Sequence, residues 1–158
     1  MKPIDSRRDE VADVLGKYLA ESSYSARSSA LQALRTWGTR RNVPALVRFL
    51  NSSENESLRR QAIELLGSLG DGQAAAALAQ RLKDPTDRKL ASQALQALGA
   101  AAEVPLIAML AEQDQEVRAE VYRLLGEVGG AKSIAALKEL AAKDDAAKAA
   151  LERLQAKQ

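Results

Sequence analysis

The stretch DQEVRAEVYRLLGEVG, residues 114–129, decides the fold, and NESLRRQAIELLGSLG, residues 55–70, repeats its plan. Each opens with a residue type that caps helix N-termini, continues with apolar residues at helical spacing and closes on Leu-Leu-Gly. Similar segments close on Leu34, Leu66, Leu98, Leu125 and Leu154, at intervals of 32, 32, 27 and 29 residues. Repeats of this length without a strand pattern predict an all-α solenoid, in which each helix pair buries its apolar face against the next.

About five helix pairs are predicted. The first helix begins near Ser6, with Val11, Val14, Leu15, Tyr18 and Leu19 on one face, and its partner runs from Ser23 or Tyr24 to Trp37. Later first helices are expected at about 43–51, 73–83, 104–111 and 133–142, and later second helices at about 55–69, 86–100, 114–128 and 145–156. The repeats then occupy about 6–38, 43–70, 73–101, 104–129 and 133–157 of a single domain, 1–158.

Turn residues support this division. Residues of N-cap type lie eleven positions before four of the closing leucines, at Ser23, Asn55, Asp87 and Asp114. Pro85 is expected in the turn between the helices of the third pair, since proline cannot continue the preceding helix. Glycines are expected in last helical turns at Gly67, Gly99 and Gly126, and in left-handed caps at Gly70, Gly72, Gly129 and Gly130. Trp37 takes a position held elsewhere by Leu69 and Val128, so it is interpreted as a core residue.

Composition argues against most enzyme classes. The 158 residues include no Cys and no His, so cysteine metal sites, thiolate nucleophiles and the commonest general base are absent. The chain is 46% hydrophobic but only 3% aromatic, which predicts a core of Ala, Leu, Val and Ile. We therefore expect no enzyme activity, no catalytic or metal-binding residues and no cofactor. The acidic pairs Glu54/Glu56 and Asp144/Asp145 stand at the starts of second helices, where carboxylates complement the helix dipole.

The formal net charge of +2 conceals a gradient, from +4 over residues 1–50, through zero over 51–100, to −2 over 101–158. A gradient this small is more typical of solvated helix faces than of a nucleic-acid site. No apolar run reaches the roughly 20 residues of a membrane span, and Met1 to Glu10 is too charged for a signal peptide. A cytoplasmic location without membrane contact is expected, although a piece of an exported protein would fit the lack of cysteine equally well.

The repeated stretches resemble a known family. Asp114 to Arg118 followed by Leu124 to Gly129, and Leu58-Arg59 followed by Leu65 to Asp71, resemble the second helix of HEAT repeats, particularly the short HEAT-like type of phycobilisome lyases. The resemblance implies a right-handed superhelix of HEAT-like helix pairs and a ladder of arginines and capping Asp or Asn residues. Leu90-Ala91 and Ala146-Ala147 depart from the pattern, so the ladder is expected to break at Ala91. Arg118 is expected to bond a cap such as Asp87 or Asp114.

The second helices of HEAT-type solenoids line the concave face, and the resemblance places candidate partner-binding residues there. They are polar residues at exposed positions: Tyr24, Gln32, Arg60, Glu64, Arg88, Lys89, Gln93, Gln96, Glu116, Glu120, Arg123 and Glu127. The potential is expected to change from near neutral at Gln32 through positive at Arg88 and Lys89 to negative at Glu116. A partner bound to such a row carries both signs of charge.

The resemblance therefore implies a protein-interaction or scaffold module, which could be one domain of a larger protein. The sequence does not name its partner. Two alternatives stay open: nucleic-acid binding through the basic amino-terminal repeats, and a non-catalytic subunit of an enzyme. Charged residues and alanines in both end helices predict polar caps and a monomer.

Overall fold

The computed structural model describes residues 5–53 and 55–157. Ten α-helices and two short 3-10 turns follow one another in these ranges, which contain no strand. The predicted all-α helical repeat fold is thereby confirmed. The helix-capping role predicted for Glu54 lies outside the described residues.

The helices form five consecutive pairs. The first helices are α1 (Asp5–Tyr18), α3 (Val43–Ser52), α5 (Gly72–Arg81), α7 (Glu103–Ala108) and α9 (Ala131–Leu140). The second helices are α2 (Tyr24–Trp37), α4 (Glu56–Leu69), α6 (Pro85–Leu98), α8 (Gln115–Val128) and α10 (Asp145–Gln155). The 3-10 turns Arg40–Asn42 and Gly99–Ala102 precede α3 and α7. Each predicted helix is present, with ends within a few residues of those expected.

The chain divides into two compact units, one up to Ala74 and one from Ala75, so helix α5 begins in the first and ends in the second. Each unit has an aliphatic core, whose largest side chains are almost fully buried. The first core includes Leu31, Leu34, Leu46, Leu50, Leu58, Ile63 and Leu66, and the second includes Leu78, Leu82, Leu95, Leu106, Leu124, Leu125 and Leu137. One repeat domain over residues 1–158 stays a prediction.

In the third repeat, the N-cap and the closing leucine of the second helix lie three residues earlier in the sequence than predicted. Helix α6 begins at Pro85, and its N-cap is Asp84, whose carboxylate accepts a hydrogen bond from Thr86 N at 2.9 Å. Pro85 thus occupies the first helical position rather than a turn, because proline needs no N–H partner there and its φ suits the helix. Leu95, fully buried, takes the closing position predicted for Leu98, which is half-buried. Helix α6 then has 14 residues, as do α2, α4 and α8.

The corrected register moves Asp87 inside α6. Its side chain is fully buried, and a carboxylate oxygen lies 3.7 Å from Arg81 Nη1. The equivalent positions of the other second helices hold apolar residues such as Leu58 and Val117, both buried. The prediction of Asp87 as an N-cap is therefore wrong, because the preceding Asp-Pro step starts the helix one turn earlier.

Helix α1 presents a different face from the predicted one. Ala12 and Leu19 are buried, whereas Val14 and Tyr18 are 49% and 48% exposed. Asn42 Nδ2 donates a 2.7 Å hydrogen bond to the Ala12 carbonyl, and this contact fixes the Ala12 side of the helix against the turn before α3. The apolar spacing from Val11 to Leu19 therefore covers both a buried and an exposed side of the helix.

The predicted left-handed glycine caps are wrong. Among the described residues only Gly99 has a positive φ, of 58°. Gly38 and Gly129 instead end α2 and α8 in negative-φ conformations, and their missing side chains matter for space. A Cβ on Gly129 would lie 2.5 Å from the Leu125 carbonyl oxygen, and one on Gly38 would lie 2.4 Å from that of Leu34. These glycines allow the chain to turn closely over the helix end before the next helix begins.

Candidate interaction surface

An arginine follows the N-cap of four second helices by four residues. Each donates a hydrogen bond to a carbonyl in the turn that follows the preceding first helix: Arg27 to Ser22 (2.7 Å), Arg59 to Ser53 (3.5 Å), Arg88 to Leu82 (2.7 Å) and Arg118 to Glu112 (2.7 Å). These turn carbonyls lie outside the helices and have no intrahelical partner, so the arginines satisfy open acceptors. The predicted bond from Arg118 to Asp87 or Asp114 is therefore wrong. The predicted break at Ala91 is wrong as well, because the corrected register places Arg88 in the arginine ladder.

The N-caps hold the starts of the second helices in place. Side-chain oxygens of Ser23, Asn55, Asp84, Asp114 and Asp144 accept hydrogen bonds from N–H groups of the first helical turn. Hydrogen bonds from Val117 N and Glu116 N lower the pKa of Asp114 despite partial burial. At Asp144 burial opposes ionisation, but the Tyr122 hydroxyl at 3.0 Å and two backbone N–H groups outweigh it and lower the pKa. Asp114 and Asp144 therefore stay charged at neutral pH.

In the first unit, the second-helix surface consists of the outward sides of α2 and α4. Tyr24 is 54% exposed, and Gln32, Arg60 and Glu64 are exposed as well. Glu64 pairs with Arg35 of α2, which ties the two helices together. A depression of about 510 Å³ is lined by side chains of α4 and its cap: Asn55, Glu56, Ser57, Arg60, Gln61 and Glu64. Arg60 and Glu56 make no ion pair with any described residue.

In the second unit, polar side chains of α6 and α8 bond one another. Arg88 Nη1 lies 2.5 Å from a Glu116 oxygen, Ser92 donates to Glu120, and Gln96 donates to Glu127. Arg123 joins these pairs through hydrogen bonds of 2.6 Å to Ser92 Oγ, Glu120 Oε1 and Glu127 Oε1. The side chains of Lys89 and Gln93 are exposed and bond no described residue. The charges on this surface are thus largely neutralised by one another.

The model of the family of HEAT repeats matches residues 12–99, which is more than half of the chain. The chain is a HEAT-repeat protein. The fourth and fifth helix pairs lie outside the matched residues but continue the same caps, and the fourth also continues the arginine ladder. No curated protein matches the chain. HEAT repeats commonly mediate protein–protein interaction or scaffolding, and the fold is typically non-catalytic.

The predicted binding residues of the HEAT-repeat chain fall into two groups, those with unbonded side chains and those whose side chains bond one another or a neighbour. Tyr24, Gln32 and Arg60 of the first unit, and Lys89 and Gln93 of the second, have exposed side chains without bonds to described residues. The others contribute to pairs or networks: Glu64, Arg88, Gln96, Glu116, Glu120, Arg123 and Glu127. An N-cap at Asp87, as expected from the sequence, would place Ser92 on the exposed side of the helix, whereas the observed register buries it, at 4% exposure.

The electrostatic potential was predicted to change from positive at Arg88 to negative at Glu116, but in the structure these two side chains contact each other. Arg88 is only 19% exposed at its side chain and is bound both to Glu116 and to the Leu82 carbonyl. Hydrogen bonds from Arg123 lower the pKa of Glu120, and Glu120 raises the pKa of Arg123 in turn. The charge of Arg88 is therefore compensated by Glu116, whereas Lys89 keeps an exposed positive charge without a described partner.

Some basic side chains of the first unit also form ion pairs or hydrogen bonds. Arg41 lies 3.1 Å from Asp13 and 3.8 Å from Asp9, and the hydrogen bond to Asp13 raises its pKa. Arg8 Nη2 donates to the Gly38 carbonyl at 3.1 Å. Exposed basic residues whose side chains have no described partner are Arg7, Lys17, Arg40, Arg48 and Arg60. This pairing reduces the positive field on which a nucleic-acid site would depend.

Among the described residues no group of three or more acidic side chains is placed to hold a metal ion. None of the described helices has the length and apolar character required to cross a membrane.

Proposed function

We propose that this HEAT-repeat chain is a protein-interaction module that binds a partner segment on the outward surface of α2 and α4 in the first unit. The observation that carries the proposal is the depression along α4 with the exposed, unpaired side chains of Glu56 and Arg60. Neither charge has to break an ion pair with a described residue before it meets a partner. The corresponding surface of the second unit would have to disrupt Arg88–Glu116 and the Arg123 network first.

The side chains in this surface indicate the chemistry of the partner. Glu56 and Arg60 have opposite charges one helical turn apart, so they suit a segment with a basic and an acidic residue at similar spacing. Tyr24 offers an exposed aromatic ring, a side-chain type that often anchors protein interfaces at low entropic cost. Asn55, Ser57 and Gln61 add hydrogen-bonding groups for an extended or helical backbone.

Selection from a displayed random-peptide library tests this proposal, because the library samples many segment chemistries at once. Peptides enriched on the whole chain should contain both acidic and basic residues, and Arg60→Glu should weaken their binding by about tenfold, the effect of an interface residue worth about 1.4 kcal/mol. Tyr24→Ser should weaken it to a similar extent. Arg48→Glu is the matched control, because Arg48 is an exposed arginine of the same unit on first helix α3.

Two results would contradict the proposal. If Arg48→Glu weakened the selected peptides as strongly as Arg60→Glu, binding would depend on net charge rather than on the α4 surface. If a random oligonucleotide bound more tightly than the peptides, with affinity falling steeply as salt rises, the nucleic-acid alternative would replace it.

A further inference from the structure

Helix α1 turns two large apolar side chains away from the core of the first unit. Val14 and Tyr18 stand one helical turn apart, and each exposes about half of its surface. The other exposed large hydrophobic residues of the described chain, Tyr24 and Val104, lie on α2 and α7. The outer side of α1 is therefore less polar than an end cap of a repeat stack is expected to be.

The second repeat buries the residue equivalent to Tyr18. Tyr18 precedes Leu19 as Phe49 precedes Leu50, yet Phe49 is only 3% exposed. Phe49 lines a small depression together with Gly16, Leu19 and Ala20 of α1 and the turn after it, which belong to the preceding pair. No described residue covers Tyr18 in that way. The surface around Tyr18 thus resembles the surface through which the second helix pair packs against the first.

Charged residues flank the two apolar side chains in an alternating order. On a helix of 3.6 residues per turn, Arg7, Glu10 and Lys17 fall within about 60° of Val14, and all three are exposed. Glu21 is exposed as well and lies in the turn after α1, three residues beyond the helix end. Asp9 and Asp13 lie on another side, where they pair with Arg41. Along the exposed stripe of α1 the order is basic, acidic, Val14, basic, Tyr18, and the acidic Glu21 follows in the turn after the helix.

We propose that this stripe is the interface of a two-fold symmetric dimer, in which the α1 helices of two copies pack antiparallel about Val14. In that arrangement Glu10 of one copy faces Lys17 of the other, and Arg7 lies beside the turn that carries Glu21 of the other copy. Each charge meets its opposite, and the Tyr18 rings cover the paired Val14 side chains. Self-complementarity of this kind is what a two-fold interface requires, since the same patch supplies both sides.

The occupant is a second copy because the order of charges fits its own reverse. A head-to-tail contact would instead place α1 against the exposed side of α10, which carries Lys148, Ala149, Glu152 and Arg153 and no large apolar side chain. One helix per copy buries less than the roughly 1,600 Å² of a standard interface. The dimer is therefore weak, with a Kd on the order of 10–100 µM.

Sedimentation equilibrium on the whole chain, from about 1 µM to about 1 mM, tests the interface across the concentrations at which such a dimer forms. Glu10→Lys and Lys17→Glu should each raise Kd by about tenfold, because each places like charges opposite one another at two symmetric positions. The double variant Glu10→Lys with Lys17→Glu should restore Kd to within about threefold of the wild-type value. Tyr18→Ser should leave a monomer, and Tyr24→Ser, the matched tyrosine off the stripe, should dimerise normally.

A wild-type chain that stays monomeric over this range, a double variant that fails to recover, or assembly beyond the dimer would each overturn the proposal. Circular dichroism melts of every variant separate a lost interface from a lost fold, since α1 and the turn after it also contribute Ala12 and Leu19 to the core. Peptide binding to the α4 surface can be measured on monomeric Tyr18→Ser, so the two proposals stand or fall independently.

Discussion

The Glu103 carboxylate, at the start of α7, accepts a hydrogen bond of 2.9 Å from the backbone N–H of Ser133, in the first turn of α9. The same oxygen accepts hydrogen bonds from Gly130 N at 2.7 Å and from the Ser133 hydroxyl at 2.9 Å. Glu103 therefore caps the helix of the following repeat across 30 residues of sequence, where α9 has no side-chain cap of its own. Ser133 is fully buried, so its N–H and hydroxyl groups depend on the carboxylate rather than on bulk water for hydrogen bonds in the folded state.

Glu103→Gln should lower the free energy of unfolding by about 1–2 kcal/mol at neutral pH, because an amide cannot accept from three donors as a carboxylate does. Urea denaturation measures the change. Glu139→Gln is the control, since Glu139 is exposed on α9 and its side chain bonds no described residue. Equal stability of the two variants would show that the cross-repeat cap contributes nothing.

The same carboxylate predicts a pH dependence. Burial opposes ionisation of Glu103, but the hydrogen bonds from Ser133 and Gly130 outweigh it and lower the pKa. A group whose pKa is lower in the folded state stabilises the fold above its unfolded pKa of about 4.3, and this contribution is lost as pH falls through the folded pKa. Unfolding free energies followed from about pH 6 to about pH 2.5 should fall less in Glu103→Gln than in the wild type. A parallel decline in both would contradict this assignment.

Arg118→Ala should cost on the order of 1–3 kcal/mol, because it leaves the Glu112 carbonyl without its 2.7 Å donor and removes a half-buried side chain. Lys148 occupies the equivalent position after the Asp144 cap, but its side chain is exposed and bonds no described residue. Lys148→Ala should therefore change stability by less than about 0.5 kcal/mol. Chemical denaturation of both variants checks the prediction, and a loss below about 0.5 kcal/mol for Arg118→Ala would make it an ordinary surface residue.

Two leucines three residues apart test the register of α6. Leu95 is fully buried and Leu98 is half-buried. Leu95→Ala should cost about 2–4 kcal/mol by removing core contacts and leaving a cavity. Leu98→Ala should cost less than half as much. Thermal or urea unfolding decides between them, and the reverse order would restore the register expected from the closing leucines.

Two glycines at the end of α8 should respond oppositely to alanine. A Cβ on Gly129 would lie 2.5 Å from a backbone oxygen, so Gly129→Ala forces the helix end apart and should cost about 1–3 kcal/mol. A Cβ on Gly126 would meet Ala150 at an ordinary 3.5 Å, so Gly126→Ala should raise stability by about 0.5–1 kcal/mol through helix propensity. Differential scanning calorimetry separates the two outcomes, and destabilisation by Gly126→Ala would mean that α8 and α10 tolerate no added methyl group.

The candidate surface was predictable only in part. Tyr24, Gln32 and Arg60 are exposed as expected, because helical periodicity alone places them opposite the apolar stripe. The pairing of Arg88 with Glu116 and of Arg35 with Glu64 was not predictable, because the partners lie 28 and 29 residues apart in sequence. Which exposed charges are available to a partner depends on those contacts.

Local sequence determined the helices. N-caps such as Asn55 and Asp114, prolines in first turns and apolar spacing act within a few residues, so the ten helices and their pairing into repeats follow from the sequence alone. Tertiary structure decided which side of α1 is buried and which carbonyl each ladder arginine binds. It also decided that Glu103 caps α9. The physical reason is that these choices depend on the packing of neighbouring elements, in the case of Glu103 about 30 residues away, rather than on local backbone preference.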